Sequence, residues 1–145
     1  MKKILIIMAL LLLTGCGNKV MKCTVNTASD KYTYEATYKI EYKGKYVSKI
    51  TKDEKYIADN KDKYNYLKEY RELELDHMNA TYGGYTYKMS ANKHTINIKT
   101  TIDTSKLNAN KLVDDGLISK YYVEKNKILV SGLRKYYESK NAICK

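Results

Sequence analysis

A chain of 145 residues, 43% hydrophobic and 30% charged, fits one folded domain and excludes an extended disordered protein. Only one stretch is continuously apolar, which excludes a multipass membrane protein, and three cysteines are too few for a disulfide-dense scaffold. Lys and Arg number 27 against 16 Asp and Glu, a net charge of +11, and the aromatic content is all tyrosine, 16 Tyr with no Phe or Trp.

The N-terminus sets the compartment. Lys2 and Lys3 precede an apolar run over residues 4–13. A helix of that length reaches only about 15 Å, roughly half a bilayer core, so residues 1–15 read as a signal peptide rather than a permanent span. The run ends in Leu13-Thr14-Gly15-Cys16, the pattern of a bacterial lipobox. Small residues before the cut let the backbone enter a protease cleft, and the thiol becomes the thioether that carries diacylglycerol. Cys16 is therefore the expected lipidation site. One acyl chain binds a membrane marginally, at about 0.8 kcal/mol per buried CH₂, so two or three chains (palmitate is the expected kind) give a durable anchor. The alternative is a cleaved secretory leader followed by an ordinary buried cysteine. Residues 16–22 read as a lipidated tether and 23–145 as a single domain.

Over residues 31–42 the alternation is nearly complete. Tyr32, Tyr34, Ala36, Tyr38, Ile40 and Tyr42 share one parity, and polar residues take the other. A period of two predicts an antiparallel strand with one wet face. Lys43-Gly44 makes the turn and residues 45–51 return, while residues 22–28 predict a preceding strand. A helix is predicted over 61–78, capped by Asp59. Its apolar side is expected to hold Tyr66, Leu67, Tyr70 and Leu73, broadened by Tyr64, Leu75 and Met78. Gly83-Gly84 ends that connection. A second hairpin follows, with Tyr85, Tyr87 and Met89 before a turn at Ala91-Asn92-Lys93, and Ile96, Ile98 and Ile102 after it. Asp103 or Thr104 is placed to cap a short helix through Leu112 and Val113. Short strands are expected at 121–123 and 128–130. Ser131 is placed to cap a last helix that Asn141 ends in the left-handed conformation. The fold class is α+β, an antiparallel β-sheet of two or more hairpins with helices packed on one face.

With Cys16 lipidated, Cys23 and Cys144 remain, and a disulfide between them would staple the two ends of the domain. Two buried free thiols are the alternative. No CxxC or His-x-x-x-His spacing accompanies them, so no metal site and no cofactor is expected. His77 and His94 are the only histidines, and neither has a base partner or second ligand at a recognisable spacing. No Gly-x-Ser-x-Gly turn or glycine-rich phosphate loop is present. The tyrosines read first as strand formers whose rings fill the core, and second as a stacking surface for a ligand. Lysines are spread among acids, and Arg71 and Arg134 are the only arginines. That pattern argues against a nucleic-acid reader. The triplet Asn79-Ala80-Thr81 matches a glycosylation pattern by coincidence in a bacterial lipoprotein.

Taken together the chain resembles the YehR-like family of small bacterial lipoproteins. The resemblance rests on the lipobox ending at Cys16 and on the hairpin Tyr42-Lys43-Gly44-Lys45 followed by Val47-Ser48-Lys49-Ile50-Thr51. The amphipathic helix, the Gly83-Gly84 break, the hairpin through Ile102-Asp103 and a final short helix follow in order. It covers most of residues 16–145. It implies an extracytoplasmic α+β protein of unknown activity and brings no catalytic residues.

The expected function is a non-enzymatic binding or interaction domain, held by lipid on Cys16 at the outer face of the cell membrane, with no nucleic-acid partner and no defined protein partner. The alternatives are a basic adaptor that binds anionic lipid or wall polymer through lysine, and an envelope enzyme built on His77 or His94.

Overall fold

A computed structural model of the chain describes residues 17–145. Residues 1–16, which hold the expected signal peptide and Cys16, lie outside the described residues. In chain order the elements are β1 (Lys19–Ala28), β2 (Tyr32–Lys43), β3 (Tyr46–Ala58), α1 (Lys61–Tyr82), β4 (Tyr85–Asn92), β5 (Thr95–Asp103), α2 (Ala109–Asp114), a 3₁₀ turn (Lys120–Tyr122), β6 (Val123–Glu124), β7 (Lys127–Ile128), α3 (Val130–Glu138) and β8 (Ile143–Cys144). Six strands form one antiparallel sheet in the order β4-β5-β3-β2-β1-β8, and β6 and β7 form a separate ribbon. The expected α+β architecture is what the chain adopts.

The alternation in β2 has the anticipated result. Ala36, Tyr38 and Ile40 are buried, as are Ile96, Ile98, Thr100 and Ile102 of β5, on the face covered by the helices. Burying each such large apolar side chain contributes about 1.5–3 kcal/mol. Gly44 supplies the positive φ of the β2–β3 turn.

β3 runs to Ala58, seven residues past the expected end at Thr51. Two features hide it from the sequence. The register shifts between Glu41 and Tyr42, so that Tyr42 faces Val47 while Glu41 faces Lys49, and Ser48 is left over as a bulge. Its hydroxyl donates to the carbonyl of Glu41 at 3.0 Å. The extra residue reverses parity, so inward positions are odd before it, at Val47, and even after it, at Ile50. The second feature is Glu54, a charged residue at an inward position, only 4% exposed.

α1 begins at Lys61 as expected, but it is capped differently, runs four residues further to Tyr82, and turns a different face inward. Asn60, not Asp59, is its cap, accepting the Lys63 N–H at 2.9 Å, while the Asp59 carboxylate takes the Lys63 ammonium at 3.0 Å. The buried stripe is Leu67, Arg71, Leu75 and Tyr82, with Tyr64 and Met78 partly buried beside it. Tyr66, Tyr70 and Leu73 are exposed. Hydropathy alone turned the helix by about one residue position, because Arg71 occupies an inward site that an apolar side chain would normally hold.

Smaller corrections have local causes. Lys19–Lys22, read as tether, begin β1, where Lys19 pairs with Tyr42. The β4–β5 turn is Lys93-His94, with φ +52° at Lys93, rather than Ala91-Asn92-Lys93, since Ala91 and Asn92 still belong to β4. Asn108 caps α2, whereas the Asp103 carboxylate accepts from Ser105 and is lowered by that hydrogen bond. α3 has Leu129 at its cap position and no side-chain cap from Ser131. Asn141 is left-handed as expected, at φ +64°. Gly132 of α3 is required by contact, since a Cβ there would lie 2.7 Å from the Cα of Tyr122.

Cys23 and Cys144 are disulfide-bonded, as anticipated. They stand opposite each other in the β1–β8 pair. Backbone bonds between Lys22 and Lys145, at 2.9 and 2.8 Å, extend that pairing to the last residue.

Candidate binding cleft

The helices do not seal the sheet completely. A cleft of about 330 Å³ opens between them, within the range of small-molecule sites. Its floor is Tyr38, Ile50, Lys52 and Ile102 of the sheet. α1 supplies one wall with Arg71, Glu74 and Met78, and α3 the facing wall with Leu133, Tyr136 and Tyr137. Leu112, Leu117, Ile118 and Ile128 border it on a third side, and Lys140 stands just past the end of α3. Tyr38 and Tyr137 stack across the floor, with ring centroids 4.3 Å apart and an interplanar angle of 24°.

One border of the cleft is a buried polar network. The Glu54 carboxylate accepts from the Tyr34 hydroxyl at 2.9 Å and the Tyr56 hydroxyl at 3.3 Å. The Arg71 guanidinium reaches its two oxygens at 3.3 and 3.4 Å, and Lys52 lies 3.7 Å away. Arg71 also donates to Glu74 and lies over the Tyr56 ring. Burial works against the charge of Arg71, but the carboxylates of Glu54 and Glu74 outweigh it and hold its pKa above the ordinary value. The hydroxyls of Tyr34 and Tyr38 share a 2.7 Å hydrogen bond. Burial raises the pKa of both, and of Tyr56 and Tyr137, while Tyr85 is pushed up to about 12.

The sequence did not single out Glu54, Lys52 or the tyrosine hydroxyls as a group. A carboxylate in a charged run reads as solvated. Its only signal is even spacing from Tyr56, which becomes visible once the bulge at Ser48 is known. Arg71 stands out in the sequence only because arginine is scarce.

A second hollow, about 420 Å³, lies on the open face of the sheet. Its walls include strand side chains already paired with each other, Lys55 with Glu35 and Lys99 with Asp53, both at 3.6 Å. The histidines are not brought together. His77 packs edge-on to Tyr82 beside Thr81, whereas His94 sits in the β4–β5 turn, where its carbonyl accepts the Ala58 N–H. Among the described residues no cluster of three His, Cys, Asp or Glu is placed to hold a metal. Asn79 lies within α1. The guanidinium of Arg134 pairs with Glu138 and reaches the carbonyl of Cys144.

These features define a small α+β protein whose antiparallel sheet is covered on one face by helices enclosing a cleft. That is the fold of YehR from E. coli: the two structures align with a TM-score of 0.65 over 90% of this chain and 92% of that one, at 18% identity. A protein from Streptococcus pneumoniae TIGR4 aligns with a TM-score of 0.52 over 88% of this chain and 86% of that one, at 16% identity. No family model matches the sequence, and no curated protein matches it. The resemblance to YehR-like proteins read from the sequence is thus met in the fold.

Proposed function

We propose that this chain is a non-enzymatic binding domain, held by lipid on Cys16 at the outer face of the cell membrane, whose cleft takes a small apolar ligand. The observation that carries the reading is the enclosed cleft itself, with apolar and tyrosine walls and a few charged groups on one border. Glu74 is the one carboxylate among the lining residues described, and Arg71 holds it. A pair of free carboxylates for acid–base work is not assembled there. The lysines of the open sheet face are interleaved with acids, so the cleft rather than that face supports the reading.

The chain has no Trp, so Leu117→Trp places a single reporter on the cleft border. Small apolar and aromatic molecules are expected to shift its emission to shorter wavelength in a saturable way. A broad panel with no saturable change would overturn the binding reading, and so would turnover of esters, phosphoesters or glycans by the purified chain. The anchor has its own check: a labelled fatty acid fed to cells should enter the wild type and be lost in Cys16→Ser.

A further inference from the structure

The charges around the cleft do not balance. Three cations border it, Lys52, Arg71 and Lys140. Two carboxylates answer them. Glu54 is shared by Arg71 and Lys52, and Glu74 is held by Arg71. Lys140 has no ion-pair partner among the described residues, and it is exposed at the opening. Lys52 lies over the Tyr38 ring, which stacks on Tyr137, and the Lys140 N–H bonds the Tyr137 carbonyl. Both lysines line the same cleft.

The third side of the cleft has different chemistry. Leu112, Leu117, Ile118 and Ile128 present branched aliphatic carbon with no hydrogen-bonding side chain. A volume of about 330 Å³ holds roughly ten non-hydrogen atoms, at the ~30 Å³ that a water-sized group occupies in a liquid.

Resting on the binding reading above, we infer that the ligand is a single-chain alkyl anion of about eight to ten carbons, seated with its head at Lys140 and Lys52 and its tail against Leu112, Leu117, Ile118 and Ile128. The anion supplies the missing negative charge. The tail removes aliphatic surface from water, the larger share of the affinity. A carboxylate and a phosphate monoester head share this chemistry, and the experiment separates them.

Calorimetric titration of the full chain with decanoate, decyl phosphate, decanol and decyltrimethylammonium is the test. At least one anion is expected to bind about tenfold tighter than the cationic amphiphile, and the tighter anion assigns the head group. Lys140→Glu, at an exposed position that does not threaten folding, is expected to abolish that preference, with Lys140→Gln intermediate. Equal binding of decanol and both anions, or an anion preference that survives Lys140→Glu, overturns the inference and leaves the binding reading standing. Failure of all four amphiphiles to bind also overturns it, while the Leu117→Trp screen decides the broader reading separately.

Discussion

Glu54 and Arg71 form an ion pair that the core has to accommodate. Glu54 is 4% exposed and Arg71 9%, so each has given up most of its water. A buried pair stabilises little compared with apolar residues of the same shape, but breaking it from one side leaves a charge stranded. The two sides are unequal here. Arg71 keeps the Glu74 carboxylate if Glu54 is lost, whereas Glu54, though still hydrogen-bonded by the Tyr34 and Tyr56 hydroxyls, keeps as its one cation Lys52 at 3.7 Å if Arg71 is lost. Arg71→Met is therefore expected to cost about 3–5 kcal/mol in urea unfolding, Glu54→Leu less, and the double variant less than Arg71→Met alone. Tyrosine ionisation gives a second residue-scale expectation. Tyr34, Tyr38, Tyr56, Tyr85 and Tyr137 all have raised pKa values in the folded chain. Above the ordinary value of 10.0 the unfolded chain loses these protons first, so the folded state binds more. Their contribution is complete below that pH and is lost as pH rises through the folded values, about 12 for Tyr85. The melting temperature should fall from about pH 10 upward, and the share of tyrosinate absorbance that belongs to these five rings should appear together with unfolding.

At the level of elements, the start of α1 distinguishes two neighbouring side chains. Asn60 satisfies the Lys63 N–H, while Asp59 makes only an exposed pair with the Lys63 side chain. Asn60→Ala should cost about 1 kcal/mol, and Asp59→Ala less than about 0.5 kcal/mol, both read from chemical denaturation. The same element shows what hydropathy can and cannot see. The alternation of Tyr32 to Tyr42 disclosed β2 because its buried positions are apolar or aromatic, and Lys43-Gly44 disclosed the turn because a positive φ favours glycine. α1 was legible as a helix but not in its rotation, and β3 not in its length. In both, a charged residue faces inward because the partner that permits it comes from another element. Arg71 and Glu54 each look solvated until the other is placed. The cleft was illegible for the same reason, since its walls come from β2, β3, β5, α1 and α3 and meet only in three dimensions.

At the scale of the molecule, the sheet places its first and last long-range connection on one edge. β1 pairs with β8, and Cys23 is bonded to Cys144 across 121 residues of sequence. A loop of that size gives roughly 4–5 kcal/mol in the chain-entropy account, and measured bridges give about 2–5 kcal/mol. Dithiothreitol, or Cys144→Ser, should lower the urea midpoint accordingly. Amide exchange should then quicken first at Ile143 and Lys145, because β8 is only two residues long and has little else to hold it.

The bridge also decides what happens after damage. Almost every peptide bond of the body lies inside the ring it closes, so a protease that cuts a surface turn, at Lys93-His94 for instance, yields two pieces still joined through sulfur. On a non-reducing gel the clipped protein should run as one species, and only a thiol should part the fragments. A domain tied off in this way keeps both halves together after a single cut.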